Sequence, residues 1–353
     1  MEKVLEEMAG LVSQPSQMSQ TSQSPAYVGR LAPSPTGALH LGNVRTFMIA
    51  WLRARSQGGK VIFRMEDLDH PKDKPGAAAQ AIEDLKWLGF DWDEEYVQSE
   101  RKAIYREALV SLCASGLVYP CVCSRRDVEA AQSAPHAGEQ MFYPGTCRGR
   151  FKTWGEALDF KHRVTESQRG ESPCLCASVL KPCWRFKVPE GARVAFDDAF
   201  AGHYEQDVSR TLGDFPLARD EFGAGYTLAC TVDDLLMGVT EVVRGDDLLA
   251  ATPAQILLAR ALLGSSSSLF PLPSSLPAYC HVPLVVGRDG KRLAKRHGDT
   301  RIATFREQGK LPAEILGFLA ASCGWAEKGE RVSLCDLLTR FDLGTIPHEP
   351  FMV

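Results

Sequence analysis

Two short runs in this chain carry residue types suited to holding and displacing phosphate. The first is PSPTGALHLGN, Pro33 to Asn43. It follows a short apolar run, YVGRLA, and precedes a helically periodic segment from Val44 to Ser56. Glycines let the backbone approach a ligand, and the helix that follows points free N–H groups and its positive end at an anion. His40 can donate to a phosphate whose charge grows during displacement at an α-phosphorus. The second run is KRLAKR, Lys291 to Arg296, after the strand-like HVPLVV and the turn GRDG. Its Lys295 can neutralise charge on a leaving pyrophosphate. Alone, the first run equally suits an ordinary Gly/Pro turn, and an isolated basic run is usually a solvated face. Together, at opposite ends of one alternating pattern, they point to nucleotide chemistry.

A third constellation is made of thiols. The chain has 11 cysteines. Cys121-x-Cys123 followed by Tyr143-x-x-x-Cys147 offers three thiolates and a phenol. Cysteines one residue apart cannot easily bridge each other, whereas a metal can collect them, and zinc favours four ligands and thiolate. Buried cysteines without a metal are also common. The opening MEKVLEEMAG lacks the long apolar core of an export signal, so reduced thiols in a cytoplasmic enzyme are expected. Cys174, Cys176 and Cys183 form another cluster, read as free thiols or as a competing site.

The elements that must position these groups alternate. YVGRLA and KVIFRMED read as strands, and Val44–Ser56, Ala77–Leu88, Arg101–Cys113 and Pro253–Leu263 as helices. That rhythm implies an α/β fold with a parallel sheet, whose ligands bind beyond the carboxyl ends of the strands. YTLACTVDDLLMGVTEVVRG reads as two apolar strands around a turn. Residues 1–26 are expected to be a disordered leader. Residues 27–118 and 190–299 are the halves of one catalytic domain, 119–189 an insertion with its own cross-links, and 300–353 a helical segment. No apolar run is seen to approach the roughly 18 residues that span a bilayer, so no membrane partner is expected. A net charge of -4 gives no global sign of nucleic acid, so any RNA contact must rest on local basic patches.

The motifs resemble those of the class I aminoacyl-tRNA synthetases of the glutamyl and glutaminyl group. PSPTGALHLGN is similar to their HIGH-type motif and KRLAKR to their KMSKS-type loop. RMEDLD and VDDLLMGVTEVVRGDD resemble two further stretches, and the similarity runs from about Tyr27 to about Leu343. The resemblance implies a Rossmann-like parallel sheet and ATP, with Mg2+, as substrate. His40 and Lys295 would be catalytic, and Pro33, Ser34, Gly37, His40, Gly42, Asn43, Arg292, Leu293 and Lys295 would hold ATP. Arg30, Ser34, Glu66, Tyr226 and Arg244 would hold L-glutamate, whose two carboxylates and ammonium require cations and an anion. Asp67, Asp69, Asp233 and Asp234 would orient the pocket or meet a tRNA's terminal adenosine. Where the family loop reads K-L-S-K, this chain has Arg292, Leu293, Ala294 and Lys295; losing the serine hydroxyl implies slower or altered activation.

CVCSRRD and YPGTCR are similar to the zinc element of the glutamyl-Q tRNA(Asp) synthetases, which implies one structural Zn2+ on Cys121, Cys123, Tyr143 and Cys147. That subgroup lacks an anticodon-binding domain, and the chain stops at Val353. The implied reaction is transfer of activated glutamate to queuosine at the wobble position of tRNA(Asp), by a monomer. The alternatives are a shortened glutamyl-tRNA synthetase charging a tRNA 3′ end, and a weakly catalytic paralogue that binds an adenylate or RNA.

Overall fold

A computed structural model describes residues 27–68, 74–130, 142–167, 181–264, 275–291, 293 and 299–353. The expected leader, Asp69, Cys174, Cys176, Arg292, Ala294 and Lys295 lie outside these. Strand β1 (Val28–Leu31) pairs in parallel with β2 (Lys60–Met65), and β2 with β3 (Glu94–Val97). Helices α1 (Leu41–Arg55) and α2 (Ala77–Trp87) make the two crossovers. All of β1 and all but the first residue of β2 are buried. Parallel strands are covered on both faces, so they read as continuous apolar runs rather than alternating ones.

Next comes α3 (Lys102–Ala114), then β4 (Val118–Cys121), α4 (Arg125–Ala130), α5 (Trp154–Ser167) and β5 (Cys183–Phe186). A hairpin, β6 (Arg193–Asp198) with β7 (Gly202–Asp207), leads through the short α6 (Val208–Thr211) to β8 (Pro216–Ala218). Strands β4, β5 and β8 form an antiparallel sheet in the order β4-β5-β8. The small sheet therefore takes its third strand from well beyond Pro189, where the insertion was expected to end. Tyr119, Cys121, Tyr143, Cys147 and Phe151 belong to a core of their own.

The stretch read as two apolar strands is a helix and a strand. Tyr226–Leu236 is helix α7, and only Glu241–Gly245 is a strand, β9. Every residue from Leu228 to Leu235 is buried. Its Thr227, Thr231 and Val232 are β-branched residues that imitate a strand, and its polar Asp233 and Asp234 are buried rather than facing solvent. Helix α8 (Thr252–Gly264) then crosses to β10 (Ala278–Val282), parallel to β9. The 19-residue segment Asp246–Gly264 is long and apolar enough to cross a membrane by composition. That corrects the reading that no run approaches this length. Its Ile256, Leu258, Ala259 and Leu262 pack into the second hydrophobic core, which accounts for the apolarity.

The remaining elements are β11 (Val285–Val286), α9 (Ile302–Glu307), α10 (Pro312–Ala321), α11 (Leu334–Leu338) and β12 (Phe351–Met352). Ile315, Leu316, Leu319, Leu334 and Leu337 join Met48 and Leu52 of α1 in the first core, so the C-terminal helices buttress the catalytic half. Strand β9 lies beside β1, where the Thr240 amide donates to the Val28 carbonyl at 2.9 Å. The lateral sequence is β3-β2-β1 followed by β9-β10-β6. Connections reverse direction between β1 and β9, and such a switch opens a crevice at the strands' carboxyl ends.

Candidate active site and thiolate cluster

A cleft of about 530 Å³ occupies that crevice. Arg30, Pro33, Ser34, Gly37, His40, Gly42, Asn43, Glu66, Tyr226 and Arg244 all line it. Of the expected nucleotide and amino-acid contacts that are described, only Leu293 is elsewhere, buried in the first core. The loop after β1 ends in a reciprocal cap on α1. His40 Nδ1 accepts from the Gly42 amide at 3.1 Å, and the His40 amide donates to Asn43 Oδ1 at 3.2 Å. A Cβ at Gly42 would lie 3.0 Å from the His40 ring, so glycine is what lets the imidazole fold over the helix start. The Leu41 amide donates to the Thr300 carbonyl at 3.1 Å and the Ile302 amide to the Leu39 carbonyl at 2.9 Å. The chain leaving the basic run is thus sewn to the histidine loop.

The charged groups of the cleft are set by buried partners. Arg30 Nη1 donates to the Val243 carbonyl at 2.8 Å, and its Nε lies 3.7 Å from Asp234. Arg64 is fully buried and joins Asp234 at 2.6 Å and Glu66 at 3.0 Å. Burial works against its charge, but the Asp234 and Glu66 carboxylates outweigh that and hold its pKa above the ordinary value. Glu66 Oε1 also accepts from the Cys230 thiol at 3.2 Å. Burial and the neighbouring Glu66 push that thiol's pKa up, so it remains a donor. Arg244 Nε donates to His281 Nε2 at 3.0 Å and its Nη2 to Thr252 Oγ1 at 2.7 Å. His281 Nδ1 lies 2.6 Å from Asp198.

Of the weaker carboxylate expectations, Asp233 is wholly buried and bonds Gln98, Arg101 and Tyr105. It has no surface on which to meet an adenosine. Asp67 caps Ser99, with bonds of 2.8 Å from the amide and 2.6 Å from the hydroxyl. Sequence reasoning missed Arg64, Cys230, Thr252, His281 and Asp198. Arg64, Cys230 and His281 sat inside the runs RMEDLD, YTLACTVDDLLMGVTEVVRG and HVPLVV. Asp198 gave no signal, because its pairing with His281 spans 83 positions.

Cys121, Cys123 and Cys147 place their sulfurs within 4.8 Å of one another. Cys123 and Cys147 are 3.5 Å apart, and the Tyr143 oxygen lies 3.2 Å from Cys121 and 3.6 Å from Cys123. A tetrahedral site with zinc–sulfur bonds of about 2.3 Å has edges of roughly 3.5–3.8 Å, so the donor set fits a thiophilic cation. Bonds from Cys123, Cys147 and Cys183, with Arg185 alongside, hold the Cys121 thiol well below its ordinary value. Arg185 Nε donates to Cys121 at 3.2 Å, and its guanidinium lies 3.8 Å from the Tyr143 ring centre. This buried cation offsets the negative charge that three thiolates would concentrate. Cys183 lies opposite Cys121 on β5 but outside the triad.

The model of the class I tRNA synthetases (E and Q), catalytic domain, matches residues 27–342. The chain belongs to this class I family. Among similar proteins is a glutamyl-Q tRNA(Asp) synthetase of Symbiobacterium thermophilum, 44% identical, covering 92% of this chain and 95% of the relative. Another, of Rhodopirellula baltica, is 45% identical over 92% of this chain and 96% of its own. A glutamate–tRNA ligase of Aquifex aeolicus is 38% identical over 91% of this chain, which spans only 63% of that longer protein. The fold is similar to a crystal structure of a glutamate tRNA ligase from Elizabethkingia meningosepticum in complex with its amino acid. It shares 26% identity at a TM-score of 0.70, covering 92% of this chain and 66% of that one.

Proposed function

We propose that the enzyme activates L-glutamate with ATP and Mg2+ and transfers it to queuosine at the wobble position of tRNA(Asp), in the cytoplasm. The observation that carries this reading is the cleft: two buried arginines and Glu66, whose side chain is 8% exposed, converge beside a capped histidine loop. Two cations and one anion complement the two carboxylates and the ammonium of glutamate. Arg30 and Arg244 grip the carboxylates, Glu66 holds the ammonium, and Ser34 and Tyr226 donate to substrate oxygens. A glutamate carboxylate oxygen attacks the α-phosphorus, and the bond to the bridging oxygen of pyrophosphate breaks. His40 and Lys295 stabilise charge on the transferring and departing phosphates. In the second step a ring hydroxyl of queuosine attacks the adenylate carbonyl and AMP leaves. The names and near-complete coverage of relatives at 44–45% identity support this acceptor.

Glutamate should drive exchange of pyrophosphate into ATP without any tRNA. Labelled glutamate should then pass to queuosine-containing tRNA(Asp) and not to the same tRNA lacking queuosine. Exchange that absolutely requires tRNA, or labelling of a tRNA 3′ end, would return the chain to the ordinary glutamyl-tRNA synthetases. Absence of exchange with any tRNA would favour a binding paralogue.

One zinc on Cys121, Cys123, Tyr143 and Cys147 belongs to the same proposal. Four protein ligands close the shell, so the ion would hold the insertion together and take no part in adenylate formation. Tyr143→Phe keeps the ring over Arg185 and deletes only the oxygen. Zinc affinity, measured by chelator competition, is expected to fall, with glutamate-dependent exchange retained. Unchanged affinity would place the fourth donor elsewhere, with water, His136 (outside the described residues) or a cysteine of the 174–183 cluster as the alternatives.

A further inference from the structure

We infer that Asp198 and His281 act as positioning residues for the amino-acid pocket, forming a buried relay that fixes the tautomer of His281 and through it the orientation of Arg244. The inference rests on the assignment of Arg244 to the glutamate-binding face. Its geometry stands apart from that assignment. Asp198, His281, Arg244 and Thr252 are each at most 5% exposed. Asp198 ends β6, His281 lies in β10 and Arg244 in β9, so the relay crosses three neighbouring strands at their carboxyl ends.

Hydrogen-bond accounting decides the direction of the bonds from Asp198 through His281 to Arg244. Asp198 Oδ1 accepts from the amides of Phe200 at 3.0 Å, Ala201 at 2.8 Å and His281 at 2.9 Å. Its Oδ2 faces His281 Nδ1 at 2.6 Å and also accepts from the His281 amide at 3.2 Å. A carboxylate only accepts, so Nδ1 carries the proton. Nε2 then presents a lone pair, and Arg244 Nε donates to it at 3.0 Å. Burial, with Arg244 beside it, holds the His281 pKa below its ordinary value despite Asp198, so the ring is neutral and Nε2 stays an acceptor. Thr252 Oγ1 accepts from Arg244 Nη2 at 2.7 Å, and its one proton has two acceptors in reach, His281 Nε2 at 3.0 Å and the Leu248 carbonyl at 3.2 Å. One edge of the guanidinium, Nε with Nη2, is therefore fixed from behind. The other edge, Nη1 with the second hydrogen of Nη2, is left as the two-pronged fork that a carboxylate takes.

The same accounting separates substitutions that look alike. In Asp198→Asn, three backbone amides claim the amide oxygen, so the NH2 group must face His281 Nδ1. The ring then has to carry its proton on Nε2, which sets donor against donor at Arg244 Nε. His281→Asn can keep the link to Asp198 but has no atom at the Nε2 position. His281→Gln can place an oxygen there and keep the acceptor. With an intact set of bonds to a charged group at stake, Asp198→Asn and His281→Asn should raise KM for glutamate on the order of 30-fold. KM for ATP should stay near wild type, and His281→Gln should remain within about threefold of wild type in both.

The experiment measures glutamate-dependent pyrophosphate exchange for the wild type and the three variants, with both KM values and kcat. Thermal melts accompany it, and long-range proton–nitrogen NMR reads the His281 tautomer in the full chain. A glutamate-specific KM rise in the two asparagine variants, rescue by glutamine, and an Nδ1-protonated ring that switches in Asp198→Asn support the relay. Equal behaviour of His281→Gln and His281→Asn, or parallel changes in both KM values, would reduce the four residues to core packing. An Nε2-protonated ring in the wild type overturns the relay whatever the activity. An enzyme with the expected tautomer but no glutamate-dependent exchange keeps the relay and discards the functional assignment.

Discussion

Lys295→Ala is expected to lower the rate of glutamate-dependent pyrophosphate exchange by about two orders of magnitude or more, the scale for losing one preorganised charge-stabilising group. KM for glutamate should barely change, because the amino-acid face is built from Arg30, Glu66 and Arg244 on other strands. The lysine sits in a run whose flanks are fixed. Leu293 is buried in the first core, and Thr300 and Ile302 are hydrogen-bonded to the histidine loop. Lysine is a compact point charge on a flexible stem, suited to following a pyrophosphate as it departs. Arginine at this position should recover part of the rate. Steady-state exchange at saturating glutamate is the measurement, and a mutant with normal kcat would make the basic run a solvated face.

The second large effect concerns stability. Arg64→Met should destabilise the protein by about 3–5 kcal/mol, because removing one member of a buried ion network leaves the others uncompensated. Arg64 has no exposed side-chain surface, and its guanidinium joins Asp234 at 2.6 Å and Glu66 at 3.0 Å. Without it, the Asp234 and Glu66 carboxylates lose their shared cation, and Asp234 keeps Arg30 at 3.7 Å. Adding Asp234→Asn should restore part of the loss, since groups sharing one network are not additive. Glutamate binding should weaken as well, because Glu66 loses the partner that aims it. Urea denaturation followed by tryptophan fluorescence reads the first effect. A loss under about 1 kcal/mol, the level of an exposed pair, would show that water screens the network.

The sequence by itself determined the alternation of strand and helix and most of the residues singled out that line the cleft. Runs such as KVIFRM, buried on both faces, have no period to obscure them, and PSPTGALHLGN carries its turn and cap chemistry within eleven consecutive positions. The cysteine spacing likewise announced a cluster, because Cys121, Cys123 and Cys147 lie on nearby turns of chain. Local signals failed where burial was complete. Tyr226–Leu236 read as strand because its β-branched residues mimic one and its two aspartates are buried instead of marking a solvent face. Tertiary structure alone decided which charges hold which. Asp198 meets His281 across 83 positions and Arg64 meets Asp234 across 170. Such pairs form only when the switch between β1 and β9 brings strand ends together, and no periodicity records a contact made across the sheet. The residues proposed to touch substrate lie at the ends of strands and in turns, where local chemistry marks them. Those that aim them are buried behind, and burial in one shared core is a property of the folded chain.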